Sequence, residues 1–354
     1  MREVVITGPR QVELRTTADD PLTPAAIRVR SLSSGISHGT EMSFYRATAP
    51  QLSHDINDGL FRTHEGEDTP YPILHGYEMV GEVIEVGSDV RDFSVGDIAW
   101  TGTPGHPDTF VCDTTETGRP FFCERAPDGA DPMAGVFLAL GGVAYDAHLT
   151  SRLRLGESVV ISGLGAVGLL SVQLARTAGV TPLIAVDPVA VRREMAVSFG
   201  ATHVIDPRAG SVAEQVRDIN VGRGVDAAIE TSGNWMALHE AVRCCASGYG
   251  RVVAVGFYQG AGTDLRLGEE FHHSTFHSMG ASSILAIDHR KMPAPGRAWD
   301  RIRVYRTVAG MLGDGTLVVH DLLTHTLPQS EAQDAFELID QHPEKIIKVA
   351  LTYD

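Results

Sequence analysis

Two short stretches carry the side chains best suited to moving a proton. "GISHGTE" holds Ser37, His38, Thr40 and Glu41, and "HGYE" holds His75, Tyr77 and Glu78. An imidazole, with an ordinary pKa of ~6.5, is well matched to taking up or releasing a hydroxyl proton at neutral pH. A phenol, near ~10, donates readily to a nascent alkoxide but acts as a base only beside a cation. These types predict a proton relay through Tyr77 and His38, with Ser37 and Thr40 hydrogen-bonding the substrate oxygen. Glu41 is placed to orient that group. Glu78 completes the set and is expected to pair with a cation on a returning strand, Lys348 being the candidate. The bland alternative makes His38 a loop residue and Tyr77 a cavity filler. His272, His273 and His277 in "FHHSTFH" form a second cluster that either reaches substrate or covers a strand-to-loop edge.

A second constellation is built for a dinucleotide. "ISGLGAVG" places Gly163, Gly165 and Gly168 after an apolar strand and at the start of a helix, with Ala166 and Val167 completing the turn. In that setting the first glycine allows the turn, the second lets the backbone approach a pyrophosphate, and the third lets helix and strand pack closely. The helix N-terminus offers unpaired N–H groups to the phosphates. The next strand, "PLIAVD", ends in Asp187, 19 residues after Gly168, with Arg192 following in the next helix. A carboxylate there accepts hydrogen bonds from the ribose hydroxyls of NAD and repels the 2′-phosphate of NADP, so NAD is the expected cofactor. Thr231 and Ser232 in "ETSGN", and Gly256 and Phe257 in "VGFYQG", follow later strands at the edge where ligands bind in open α/β sheets. A helix-packing glycine cluster beside an unrelated surface Asp is the competing reading.

These residues need two kinds of scaffold. Before residue 135 the chain runs in short alternating segments such as "AAIRVRSLSSGIS", "MVGEVIEVG" and "GDIAW", broken by turns; this is the texture of an irregular antiparallel barrel. From there "SVVISG", "PLIAVD", "DAAIET" and "RVVAVG" alternate with helical segments, which implies a parallel doubly wound sheet. The α/β reading assigns 1–134 and 285–354 to a catalytic, substrate-binding domain and 135–284 to a Rossmann dinucleotide-binding domain, the tail "AQDAFELIDQH…KIIKVALTY" returning to the first. Residues 53–70 read as a polar loop or small excursion.

Bulk properties narrow the partners. The net charge is −16 over 354 residues, which disfavours nucleic acid and anionic membrane surfaces. The N-terminus lacks the apolar run of a signal peptide, and the apolar stretches fall short of a membrane span. Four cysteines with no CxxC pair suit a reducing compartment, so a cytoplasmic location is expected.

Across essentially its whole length the chain resembles the medium-chain dehydrogenase/reductase superfamily. "SSGISHGTE" resembles the early catalytic motif, "YPILHGYEMVGEVIEVGSDV" the zinc-signature strand pair, "DFSVGDIAW" the turn after it, and "GLGAVG" with Asp187 the cofactor motif. "EEFHHSTF" through "SMGASS", and "TLPQSEAQDAFELI", resemble the tail of the threonine- and polyol-dehydrogenase-like branch. The resemblance implies a GroES-like irregular barrel joined to a Rossmann domain, and a homodimer or homotetramer. It also implies catalytic zinc on a Cys, a His and a third Cys or Glu, but the corresponding positions here hold Ser37, Tyr77 and Ala139. The structural zinc lobe would need clustered cysteines after "GDIAW", and "TGTPGHPDTFVC" supplies only Cys112. "GIS…GTE" with "GYE" is similar to a zinc-lacking branch that includes bacteriochlorophyllide dehydrogenase-like enzymes. No metal is expected, His38, His75 and Glu78 being the ligands to consider were one held. The implied activity is zinc-independent, NAD-dependent oxidation of a secondary alcohol of polyol, cyclitol or sugar type to a ketone, or the reverse. A quinone or enoyl reductase and a non-catalytic nucleotide-binding protein are the alternatives.

Overall fold

The computed structural model describes residues 1–52, 54–57, 60–63, 71–102, 105–115, 122–256, 258, 278–281 and 299–354. The chain separates into two compact units, Met1–Ala139 with Tyr305–Asp354, and Leu140–Val304.

The first unit opens with a hairpin, β1 (Arg2–Gly8) and β2 (Gln11–Thr16). Its main sheet is organised around the long strand β3 (Ala26–Ile36), which leads into the short helix α1 (Thr40–Tyr45). Residues 53–70, read from sequence as a polar loop or small excursion, contain an antiparallel pair, β4 (His54–Asn57) and β5 (Leu60–Thr63). Next come β6 (Met79–Val86), β7 (Ile98–Thr101), β8 (Thr109–Asp113) and β9 (Cys123–Arg125). The returning strands β16 (Leu323–Pro328) and β17 (Lys348–Thr352) complete a seven-stranded sheet in the order β16-β17-β3-β6-β7-β9, with β8 also on β3. The pairing of β3 with β6 shifts register twice, between Arg28 and Val29 and between Ser31 and Ser33. Such irregularities bend a strand and re-aim its side chains. β17 runs antiparallel to β3 with Ala350 opposite Gly35, and β6 begins with Met79 opposite Ser34. Lys348 and Glu78 are therefore delivered to opposite flanks of Gly35, although 270 residues separate them in sequence.

Helix α2 (Leu138–Ser151) continues a run from Pro132 that by length and composition would cross a membrane, contrary to the sequence expectation; 67% of it is buried inside the protein, as in a core helix. The second unit then alternates β10 (Val159–Ser162), α3 (Ala166–Thr177), β11 (Leu183–Val186), α4 (Ala190–Ser198), β12 (His203–Ile205), α5 (Val212–Ile219), β13 (Ala227–Glu230), α6 (Trp235–Cys244) and β14 (Arg251–Ala254), and adds β15 (Ser278–Ala281). All six strands are parallel, in the order β12-β11-β10-β13-β14-β15. β10, β11 and β13 are buried at every residue, as strands covered on both faces must be. That is why they read as unbroken apolar runs rather than alternations. The strand order reverses beside β10, where a doubly wound sheet opens its ligand crevice.

Candidate active site

Three of the residues proposed from sequence meet as hydroxyls. Ser37 directly follows β3, Thr40 starts α1, and Tyr77 precedes β6. Ser37 Oγ and Tyr77 OH are 2.6 Å apart in a hydrogen bond, and Tyr77 OH also donates to Thr40 Oγ1 at 3.4 Å. The Thr40 backbone N–H donates to Ser37 Oγ at 3.4 Å. His38 lies half-buried in the turn between Ser37 and α1. Burial first, and the Glu78 carboxylate second, push the Tyr77 phenol above its ordinary range. Tyr77 therefore stays protonated at neutral pH and works as a donor. The cation it would need to act as a base is spent elsewhere: Lys348 Nζ donates to Glu78 Oε2 and, at 2.9 Å, to the Ile36 carbonyl.

Glu78 and Lys348 are 0% and 1% exposed. Burial raises the Glu78 carboxyl and the ammonium beside it pulls it back. Gly35 makes this pairing possible, because a Cβ there would stand 2.2 Å from Glu78 Oε2 and 2.7 Å from Lys348 Cε. His75 is tilted against the Phe44 ring, 4.8 Å between centroids, and set edge-on to Tyr77 at 6.0 Å. Burial lowers its pKa, so it is neutral at pH 7. The alternative ligand set of His38, His75 and Glu78 is not assembled: among the described residues no three His, Cys, Asp or Glu side chains converge as metal ligands. Ala139, which the family resemblance puts at the third zinc position, is 4% exposed and its side chain offers no donor atom. The residues at the superfamily's zinc positions thus do not fit the metal.

Sequence reasoning missed the network behind these hydroxyls. Tyr353 OH to Ser34 Oγ is 2.7 Å, Ser34 Oγ to His106 Nδ1 is 2.7 Å, and His106 Nε2 to Glu41 Oε1 is 2.6 Å. Glu41 Oε2 accepts the Ser37 N–H at 2.7 Å. One assignment of protons suits the chain: each hydroxyl donates toward His106 Nδ1, and the His106 Nε2–H donates to Glu41. Gln329 holds the His106 carbonyl at 2.7 Å. Burial raises the Tyr353 phenol, keeping it a donor. Glu41, a candidate for orienting the site, thus positions Ser37 through its backbone. His106 stood in a Gly-His-Pro turn and gave no periodic or motif signal.

The dinucleotide turn is assembled from backbone. Gly165 caps α3, and a Cβ placed on it would meet nothing within 4 Å, so there is open space at the start of the helix. At Gly168 the reverse holds: a Cβ would lie 1.8 Å from the Gly163 carbonyl oxygen, so only glycine brings α3 this near β10. Thr231 Oγ1 donates to that same carbonyl at 2.8 Å. This open cradle of helix-terminal amides fits a pyrophosphate. Asp187 is buried, its two oxygens accepting the N–H groups of Leu164 and Val189, each at 2.8 Å. A carboxylate has further lone pairs for ribose hydroxyls. Arg192 Nη1 is 3.8 Å from Asp187 Oδ2. Ser232 and Gly256 sit in the loops after β13 and β14, their backbones abutting: a Cβ on Gly256 would be 2.2 Å from Gly233 N. Phe257, His272, His273 and His277 lie outside the described residues.

Two family models match the two kinds of scaffold, "Alcohol dehydrogenase GroES-like domain" over residues 47–161 and "Zinc-binding dehydrogenase" over 166–289. The chain belongs to the medium-chain dehydrogenase/reductase superfamily. This medium-chain dehydrogenase is 29% identical to D-guloside 3-dehydrogenase of Escherichia coli, across 100% of both chains. It is 28% identical to L-threonine 3-dehydrogenase of Pyrococcus abyssi, over 76% of this chain and 79% of that one. Among solved structures, a zinc-binding dehydrogenase of Sinorhizobium meliloti 1021 bound to NADP superposes with a TM-score of 0.77 at 21% identity, covering 99% and 98% of the two chains. The fold is therefore the expected one, a GroES-like domain with a Rossmann-type domain, and the protein is an oxidoreductase of the alcohol dehydrogenase kind. Its family chemistry is alcohol oxidation to a ketone with a nicotinamide cofactor.

Proposed function

We propose that this medium-chain dehydrogenase oxidises a secondary hydroxyl of a polar, sugar- or polyol-type substrate, or reduces the matching ketone, with NAD and without zinc. The observation that carries this reading is the 2.6 Å hydrogen bond between Ser37 Oγ and Tyr77 OH. These residues stand where the superfamily places its zinc-binding Cys and His, so a pair of hydroxyls occupies the ligand position. A bound nicotinamide accepts or gives the hydride. The protein's own task is to hold the substrate oxygen and move one proton. Tyr77, kept protonated, donates to the substrate oxygen, and Ser37 and Thr40 fix its direction. His38 takes up the hydroxyl proton during oxidation and returns it in the reverse direction. Removing a donor aimed at a developing oxyanion costs roughly 10²–10³ in turnover, which sets the scale for Tyr77→Phe.

The full-length similarity to a guloside dehydrogenase supports a glycoside or related polyhydroxylated substrate, and Asp187 supports NAD. On this reading the partner is a small molecule in the cytoplasm and the enzyme works as a homo-oligomer. The decisive experiment combines metal analysis with chelation. We expect no stoichiometric zinc, unchanged NAD-dependent oxidation of glycosides or polyols after chelation, and a loss of about 100-fold or more in Tyr77→Phe. One tightly held zinc whose removal abolishes activity would sink the proposal.

One observation favours a second reading, an NADPH-dependent reductase. Three arginines gather at the ribose position: Arg192 beside Asp187, Arg193 donating to the Asp187 carbonyl at 2.7 Å, and Arg208 donating to the Pro188 carbonyl at 2.5 Å. Guanidinium groups are suited to a 2′-phosphate. A strong preference for NADPH over NADH, with turnover of a conjugated enone and none of an alcohol, would establish it.

A further inference from the structure

Glu230, the last residue of β13, is 0% exposed, yet it has no arginine or lysine partner in any ion pair among the described residues. It is held by neutral donors drawn from two loops. Within its own loop Oε1 accepts the Ser232 N–H at 2.7 Å and the Ser232 hydroxyl, and Oε2 accepts the Gly233 N–H at 3.2 Å. From the loop after β14, the Tyr258 hydroxyl donates to Oε2. The backbone repeats the tie, since the Glu230 carbonyl accepts the N–H groups of Val255 at 2.8 Å and Gly256 at 3.3 Å. The Tyr258 ring also packs on Trp235 at the start of α6, 4.9 Å between centroids.

The place of this clamp in the sheet gives it a use. The sheet order puts β11, with Asp187 at its end, on one side of β10, and β13 and β14 on the other. A dinucleotide whose pyrophosphate sits at α3 and whose adenosine ribose meets Asp187 must extend its other half over the ends of β13 and β14. Those ends carry the two loops that Glu230 ties together. We propose that Glu230, with Tyr258, is a positioning residue for the nicotinamide half of the cofactor: the buried carboxylate fixes the two loops in one arrangement before the nicotinamide riboside arrives. Burial raises both the Glu230 carboxyl and the Tyr258 phenol, so the phenol remains a donor. Hydrogen bonds to a charged, buried acceptor are the strong kind, and loops ordered in advance cost the ligand less to bind.

Two variants and two ligands test the clamp without any substrate. Tyr258→Phe removes only a hydroxyl, and Glu230→Gln keeps the shape but exchanges an acceptor for a donor. Each is titrated with the dinucleotide that the wild type binds more tightly, NADH or NADPH. Each is also titrated with the matching fragment lacking the nicotinamide riboside, ADP-ribose or its 2′-phosphate. We expect about tenfold weaker dinucleotide binding in Tyr258→Phe and at least that in Glu230→Gln, with fragment affinity unchanged. Unchanged dinucleotide affinity in a folded Tyr258→Phe overturns the proposal. So does an equal loss for dinucleotide and fragment, which is what general loosening of the unit would produce. Should Glu230→Gln not fold, the Tyr258→Phe result decides alone.

Discussion

Glu78 and Glu230 are both fully buried carboxylates, one in each unit, and they are met by opposite kinds of partner. Glu78 is met by an ammonium, Lys348, delivered from the far end of the chain across Gly35. Glu230 is met by two backbone N–H groups and two hydroxyls, all within 28 residues of it. Removing a partner from a buried ion pair leaves a bare charge in a low-dielectric interior, whereas losing one of several neutral donors leaves the rest in place. The catalytic unit therefore carries its buried charge as a long-range tie between β3, β6 and β17. The cofactor unit carries its own as a local brace between adjacent loops.

The comparison breaks most sharply at Lys348. Lys348→Met is expected to destabilise the protein by about 3–5 kcal/mol, because Glu78 is left buried and unpaired. The double variant Glu78→Gln/Lys348→Met should regain most of that, as read from denaturant midpoints. Equal loss in the single and double variants would show that Lys348 acts through packing. Gly35→Ala probes the same tie from the backbone. Its Cβ would intrude on both members of the pair, and overpacking of this sort costs roughly 1–3 kcal/mol; a midpoint unchanged from wild type would mean the pair moves aside freely.

The smallest effect is a pH dependence carried by a half-buried histidine in each unit. His75 and His148 both have pKa values lowered below the ordinary 6.5 by burial. Their unfolded forms bind protons more readily, so the stability they contribute is fully present above about 6.5 and lost as pH falls through that value toward the folded pKa. Between pH 7.5 and 5.5 the denaturant midpoint should fall, and His75→Phe should make the fall shallower by less than about 1 kcal/mol. A midpoint that rises on acidification, or an identical slope in the variant, would contradict the assignment.

The two sites also differ in how far sequence could reach them. The turn at Gly163–Gly168, the acid at Asp187 and the strands between them lie in one continuous βαβ unit. Their spacing, apolar runs and glycines are all local consequences of a parallel sheet and a close helix approach. Ser37, Thr40 and Tyr77 were legible as residue types in motifs, and Lys348 as a partner for Glu78, because it is a cation on the strand expected to return to the first domain. The Tyr353–Ser34–His106–Glu41 chain was not legible. A hydrogen bond between residues 65 or 319 positions apart in sequence leaves no periodicity in either segment.

By itself the sequence determined the class of fold and the glycine turn that opens its doubly wound half, since these depend on local pattern and residue chemistry; that Ser37, Tyr77 and Ala139 stand at zinc positions is what the family resemblance implies. Only the tertiary structure decided that the Tyr77 phenol is pushed above its ordinary range while it donates to Thr40 Oγ1. That outcome rests on burial and on the neighbouring charges, Glu78 held against Lys348, which the pairing of β17 with β3 brings together and no local pattern records.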